Sequence, residues 1–267
     1  MNVKPVILLT IPLMLVVLVF GFFSSTKNPR ALIDNAQLKL DAQENLLTDS
    51  LVVMDLSIMD SVMRYVSNMT TAIRGGEVYT KITTQTPFSD YVSTDEQFML
   101  EQGNFSCTDS LVRPVCVRVP EPEENFNELL DDADYKNIEY LGTKTVNQTT
   151  CDAIFADVNA SVIDDLGAGA LTEDVEGNFS EIKEVFLYSC LDPSTGISLE
   201  SVWGIMGETS FGSLIVDIGV NITKTVNSFS NEVPESLFIL PYEVVSQDEY
   251  EVLVNQTELL AESQNTL

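Results

Sequence analysis

The chain has 267 residues, with 13 Lys+Arg against 41 Asp+Glu, no His, four Cys and a formal net charge of −28. Such acidity repels phosphate backbones, so nucleic-acid binding is excluded without a basic patch, and none is visible. The lack of His removes every Ser-His-Asp, Cys-His and His-ligated metal arrangement at once.

Basic residues stand at Lys4, Lys27 and Arg30 in the first thirty positions, which hold no acid. Between them, Pro5–Phe23 is apolar except at Thr10, and as a helix it would reach about 28 Å, close to the hydrocarbon thickness of a bilayer. A cleaved signal peptide has a shorter core of roughly 7–15 residues, and here Phe22 and Phe23 crowd the positions ahead of Ser24 and Ser25. Residues 1–25 therefore read as an uncleaved signal anchor, a transmembrane helix, with cleavage as the alternative. The flanking charges are nearly balanced and leave the orientation open.

Two other signals set the orientation. Asn-x-Ser/Thr occurs at Asn68, Asn104, Asn147, Asn159, Asn178, Asn221 and Asn255, all after the apolar segment. Chance would give on the order of three, so a glycosylated outer surface is favoured. Cys107 and Cys116 flank a turn-like stretch that would close a hairpin, and Cys151 and Cys190 each fall in a strand-like run. None has C-x-x-C spacing, so the four read as two disulfides, with four buried free thiols as the alternative. The body of the protein is expected outside the cytoplasm.

Along the chain, residues 24–30 are a short polar linker. From Ala31 the spacing of Leu32, Ala36, Leu40 and Leu47 predicts a helix. Thr48-Asp49-Ser50 would cap a second helix carrying Leu51, Met54, Ile58, Val62 and Val66, with the pattern fitting helix and strand equally from about Arg64. Met54, Met59, Met63 and Met69 add a soft apolar stripe there, as core filling or as the lining of an acyl-chain pocket. After Gly75-Gly76 the pattern becomes β, with alternation over Val78–Thr83 and short runs at Gln97–Leu100, Asn104–Cys107 and Val115–Val119. Residues 120–134 form an acidic connection. Asp131, Asp132 and Asp134 lack the glycine and terminal Glu of an EF-hand and read as solvated charge rather than a calcium site.

Strands resume at Tyr140–Val146, Cys151–Val158, Glu184–Cys190, Ile197–Ile205 and Leu214–Thr225, with residues 163–180 as a flexible insertion. Leu214, Val216, Ile218, Val220 and Ile222 alternate with Asp217, Gly219, Asn221 and Thr223, so one sheet face is apolar and the other wet. The acidic tail, residues 242–267, is expected to be partly helical.

Three pieces occur in a recognisable order: a paired-Cys hairpin, then Tyr188–Leu199 containing Asp192-Pro193-Ser194-Thr195-Gly196, and a closing Val233–Pro241 segment. The middle piece resembles the "D-x-x-T-G-x-P-L" hairpin of LolA/LolB-like lipoprotein carriers and LppX-type proteins, with Ser198 in place of the usual Pro. The last resembles their "D-S-x-F-x-L-P" segment. The sequons and extra cysteines look more like an archaeal surface relative. The resemblance implies a curved, incompletely closed antiparallel sheet with helices across its concave apolar side, where that family holds a lipid acyl chain. Single-faced strands after an amphipathic helical start lead to the same geometry independently.

The expected architecture is therefore α+β: a signal anchor (1–25), a helical membrane-proximal segment (26–58), a LolA-like antiparallel β domain shaped as an incomplete barrel (59–241) and an acidic tail (242–267). Met59, Met63, Leu199, Trp203, Ile205, Val216, Ile218 and Val220 are expected to line a pocket or the core beside it. The expected function is binding of a lipid or acyl chain by a single-pass cell-membrane protein held through residues 5–23. The alternative is a glycosylated surface or adhesion protein without a small-molecule ligand. No catalytic motif such as G-x-S-x-G or S-x-x-K is present, so neither an enzyme nor a cofactor or metal is expected. No protein partner is indicated.

Overall fold

A computed structural model describes residues 27–59, 61–85, 92–109, 111–120, 135–159, 179–211 and 214–265. Helix α1 (Pro29–Asp41) is followed by twelve strands: β1 (Asn45–Ile58), β2 (Ser61–Arg74), β3 (Glu77–Gln85), β4 (Val92–Leu100), β5 (Gly103–Thr108), β6 (Val115–Val119), β7 (Tyr135–Val146), β8 (Thr149–Val158), β9 (Phe179–Leu191), β10 (Ser198–Phe211), β11 (Leu214–Ser230) and β12 (Val244–Val245). A 3-10 turn at Glu235–Phe238 precedes β12, and helix α2 (Gln247–Asn265) ends the chain. The expected anchor at residues 1–25, the acidic Asp131, Asp132 and Asp134, most of the 163–180 insertion and Asn178 lie outside the described residues. Among the described residues no helix is long and apolar enough to cross a membrane.

All twelve strands form one open, curved sheet in the order β12-β6-β5-β4-β3-β2-β1-β11-β10-β9-β8-β7. Two meanders, β1 to β6 and β7 to β11, are joined where β1 pairs antiparallel with β11 from Leu47↔Ser230 to Ile58↔Ile218. Every neighbour is antiparallel except β12, which adds parallel to β6. Tight connections come from residues suited to positive φ: Gly75 and Gly76 (φ 57° and 89°) turn β2 into β3, and Asn147 and Gln148 (φ 46° and 70°) turn β7 into β8.

The second helix expected over residues 48–66 is not formed. Those residues are β1, the β1–β2 turn and the start of β2, so the membrane-proximal segment is helical only over Pro29–Asp41. The apolar spacing at Leu51, Met54, Ile58, Val62 and Val66 fits a helix. The same stretch is also rich in β-branched residues, and pairing with β2 and β11 along its length overrides the local pattern. The tail is partly helical, over Gln247–Asn265, and it is docked. Val245 of β12 and Leu253 of α2 bury against Val115, with Leu111 and Tyr250 around them.

Directly opposed residues share a face, so the register sorts side chains into two sets. The outer set packs at one end of the sheet. Ala72, Tyr79, Phe98, Leu100, Phe105 and the Cys107–Cys116 pair are covered there by Leu47 and by Val233, Leu237, Phe238, Leu240 and Tyr242 of the segment before β12. The second disulfide, Cys151–Cys190, ties β8 to β9 among Leu46, Val146, Ala153, Ile197, Leu199 and Val226. Both bridges are fully buried, and among the described residues no cysteine is free.

Two outcomes follow. The Cys151–Cys190 bridge spans 39 residues and Cys107–Cys116 only nine. Replacing the first pair with Ala should cost about 4 kcal/mol and the second about 3 kcal/mol in urea denaturation. Burial, and then the neighbouring Glu96 charge, push the Tyr79 hydroxyl up to about 12 from its ordinary 10.0. The unfolded chain therefore loses this proton first, and stability should fall between pH 10 and 12, by about 1.4 kcal/mol at pH 11. Tyr79→Phe should flatten that part of the pH–stability curve.

Candidate functional site

The inner face of the central strands is apolar. β1 contributes Val52, Met54, Leu56 and Ile58, and β2 contributes Met63, Tyr65 and Met69. From β10 come Trp203 and Ile205, and from β11 Val216, Ile218, Val220 and Ile222. Beside them Val158, Val185 and Leu187 are buried, with Tyr135, Ile182, Trp203 and Ile205 packed against them. Val216 and Ile218 are themselves buried, whereas Val52, Met54, Leu56, Ile58, Met63, Trp203, Ile205 and Val220 are half-buried.

The outer face of the same strands mixes ion pairs with apolar side chains such as Leu51, Val53, Val62, Val66 and Met206. Arg64 donates to both carboxylate oxygens of Asp55 at 2.7 and 2.8 Å. Lys183 bridges Glu208 at 2.5 Å and Asp217 at 2.9 Å. Lys144 pairs with Glu200, and Asp49 accepts from Thr70 at 2.8 Å. The ion pairs of these strands thus lie on one side, and the other carries a band of apolar side chains.

One end of the inner face is closed by α1, whose Leu40 packs with Leu46, Leu199 and Val226. Asn28 caps the helix, accepting from Arg30 N at 3.1 Å, and Pro29 starts it. Just upstream, the Lys27 ammonium lies 2.7 and 2.6 Å from the two oxygens of Asp152, which is 2% exposed and also accepts from the Tyr140 hydroxyl at 3.0 Å. The hydrogen bond to Asp152 holds Lys27 above the ordinary lysine value.

The other contact is the β9–β10 turn. Asp192 accepts from Ser194 N at 3.0 Å, from Ser194 Oγ at 2.9 and 2.8 Å and from Thr195 Oγ1 at 2.6 Å. Burial works to raise its carboxyl, but these donors outweigh it and hold the group below the usual carboxylate range. Lys39 and Gln43 then bond the turn's carbonyls at Pro193 and Thr195. Gly196 has φ +80°, and a Cβ there would meet Ala36 O at 2.2 Å. The Asp-Pro-Ser-Thr-Gly motif is therefore a self-satisfied turn shaped to receive the helix.

Of the eight residues expected at the pocket, six share the inner face: Met63, Trp203, Ile205, Val216, Ile218 and Val220. Leu199 sits in the core under α1, 2% exposed. Met59 stands apart in the β1–β2 turn, with φ 51° and 60% exposure. Sequence reading missed Val52 and Leu56, whose two-residue period on β1 was the available signal, and it placed Ile222 on the apolar face of β11 without counting it among the pocket residues. Among the sequons, Asn68, Asn147 and Asn255 are exposed, Asn159 and Asn221 are half-buried, and Asn104 is buried with its Nδ2 sealed from solvent. Among the described residues no group of three or more Cys, Asp or Glu is arranged to hold a metal.

No family model matches the chain, and no curated protein matches it in sequence. Among solved structures it is similar to the Mycobacterium tuberculosis lipoprotein LppX, at 14% identity and a TM-score of 0.39, over 78% of this chain and 99% of that one. It is similar also to LprF from Mycobacterium bovis, at 10% and 0.42, over 80% of this chain and 98% of that one. A LolA superfamily protein from Nitrosomonas europaea gives 10% and 0.29, over 80% and 99%. These are proteins of the kinds that the turn and closing motifs resemble.

The turn geometry makes a direct prediction. Gly196→Ala combines left-handed strain with a clash against the α1 backbone, so it should cost about 2–3 kcal/mol and expose α1 to proteolysis. An unchanged urea midpoint and cleavage pattern would show that α1 does not depend on this turn.

Proposed function

We propose that the protein binds the apolar chain of a lipid or acylated ligand along the inner face of its sheet, without performing chemistry on it. The observation that carries this reading is the band of half-buried Val52, Met54, Leu56, Ile58, Met63, Trp203, Ile205 and Val220 on one face of four adjacent strands. Covering such a band with a hydrocarbon chain is favourable at about 0.8 kcal/mol per methylene. A sixteen-carbon tail would gain on the order of 12 kcal/mol, and association costs at least about 4 kcal/mol, which leaves affinities as tight as roughly micromolar. Met54, Met63 and Met69 suit a chain without fixed shape, since thioether side chains adapt to their contacts.

The same proposal places the domain outside the cytoplasm, tethered to the cell membrane through residues 5–23. Two buried disulfides support an oxidising compartment. The exposed sequons at Asn68, Asn147 and Asn255 support a glycosylated surface.

Trp203 is the chain's single tryptophan and lies on the band, so it reports on this site alone. A long-chain lipid brominated along its tail, added to the full chain in nonionic detergent, should quench Trp203 fluorescence saturably. The unbrominated lipid should compete, and Ile205→Glu should weaken binding at least tenfold. Absence of saturable quenching, together with no extractable lipid in native mass spectrometry of protein from its own host, would overturn the proposal in favour of a surface building block.

A further inference from the structure

The inner face carries a charge where its pattern calls for none. Lys224 is the one charged residue among the inner-facing side chains of β1, β2, β10 and β11. The register sets it against Val52 on one side and Ser201 on the other. Along its own strand the same-face neighbours are Ile222 and Val226. It is half-buried, and it has no ion-pair or hydrogen-bond partner among the described residues.

A hydroxyl without a partner lies beside it. Ser50, one register step from Lys224 on β1, is 2% exposed, and its Oγ has no hydrogen-bond partner among the described residues. A lysine and an orphan hydroxyl thus stand on adjacent strands, at the α1 end of the apolar band. Buried donors left unpaired are costly, and a group that satisfies several of them at once recovers that cost. An anion with several acceptor oxygens can answer the ammonium and the hydroxyls together, through the stronger charge-assisted bonds.

We propose that Lys224, with Ser50 and Ser201 beside it, receives the anionic headgroup, carboxylate or phosphate, of an amphiphile whose tail lies along Trp203, Ile205, Leu56 and Met63. This rests on the lipid-binding reading above and adds the class of headgroup and the direction of the bound molecule. Burial pushes the Lys224 ammonium down from its ordinary value, and a bound anion would restore its charge.

The test compares ligands that differ only at the head. A long-chain fatty acid, its methyl ester and a lysophosphatidic acid of the same chain length are titrated into the full chain in nonionic detergent, with bound mass counted by native mass spectrometry. The fatty acid or the lysophosphatidic acid should bind at least tenfold more tightly than the ester, and the tighter of the two identifies the head as carboxylate or phosphate. In Lys224→Met the preference should fall to about onefold, and Lys224→Arg should retain it. Equal binding of acids and ester by the wild-type chain, or a preference that survives in Lys224→Met, would overturn the headgroup assignment and leave lipid binding standing. Failure of all three ligands to bind would remove the lipid-binding reading and this one with it. The wild-type comparison needs no variant, and Ser201→Ala, expected to reduce the preference severalfold, serves as the second variant should Lys224→Met not fold.

Discussion

The pairing of β1 with β11 is the constraint on which the rest of the molecule depends. It joins segments as distant in sequence as Leu47 and Ser230, and it alone connects the two meanders into one sheet. Closing so long a loop is entropically expensive and slow, yet the cost grows only logarithmically with length, while the pairing runs almost the whole length of β1. The register matters as much as the pairing. A slip by one residue would bring Gly219, Asn221 and Thr223 to the inner face and send Ile218, Val220 and Ile222 to solvent. The observed register is compatible with both strand ends because it shifts once, between Asp49 and Ser50, where Asn227 is passed over on β11. That bulge brings Val226 opposite Ser50 and keeps Lys224 on the inner side.

From this pairing the distribution of stability follows. The sheet is covered from opposite sides at opposite ends. Residues 233–242 close the outer face over β2 to β6, and α1 closes the inner face near β9 to β11. The exposed ion pairs of the outer face, such as Arg64–Asp55 and Lys183 with Glu208 and Asp217, are worth little individually because water screens them. Their value is in keeping that face soluble and single-sided. The half-buried apolar side chains of the inner face are then held by a sheet that is packed at both ends and stapled by two disulfides.

Much of this was legible in the sequence where one local signal dominated. β11 shows its alternation directly, and the Asp192–Gly196 turn is written in residues whose side chains satisfy their own backbone. The helix at Pro29–Asp41 has its cap and proline in order. β1 and β2 were not legible, because Leu51, Met54, Ile58, Val62 and Val66 keep a helical period across the alternation of Val52, Met54, Leu56 and Ile58, and the turn at Met59 carries no Gly, Pro or Asn-Gly signal. Only pairing with β11 resolves that ambiguity, and a partner so far along the chain leaves no local trace. The C-terminal tail was read as partly helical, as found, but its docking was not read, because that rests on Val245, Tyr250 and Leu253, too few apolar residues to stand out. Lys224 was hidden by its position near the end of an alternating strand, where a charge reads as the strand running out into water.

The placement of that lysine also bears on how a strongly acidic protein handles an anionic ligand. A net charge of −28 gives a repulsive field at a distance, so electrostatic steering works against such a ligand rather than for it. At physiological ionic strength that field is screened within about 8 Å. Beyond that range the ligand is met mainly by its apolar tail, which is indifferent to charge, and only on the inner face does the ammonium act at short range in surroundings of lower dielectric. Attraction by the tail and discrimination at the head are thereby separated in space. The outer carboxylates keep anionic surfaces and polyanions at bay, and Lys224, shielded from them by the thickness of the sheet, is left to recognise a single group that arrives on the end of a hydrocarbon chain.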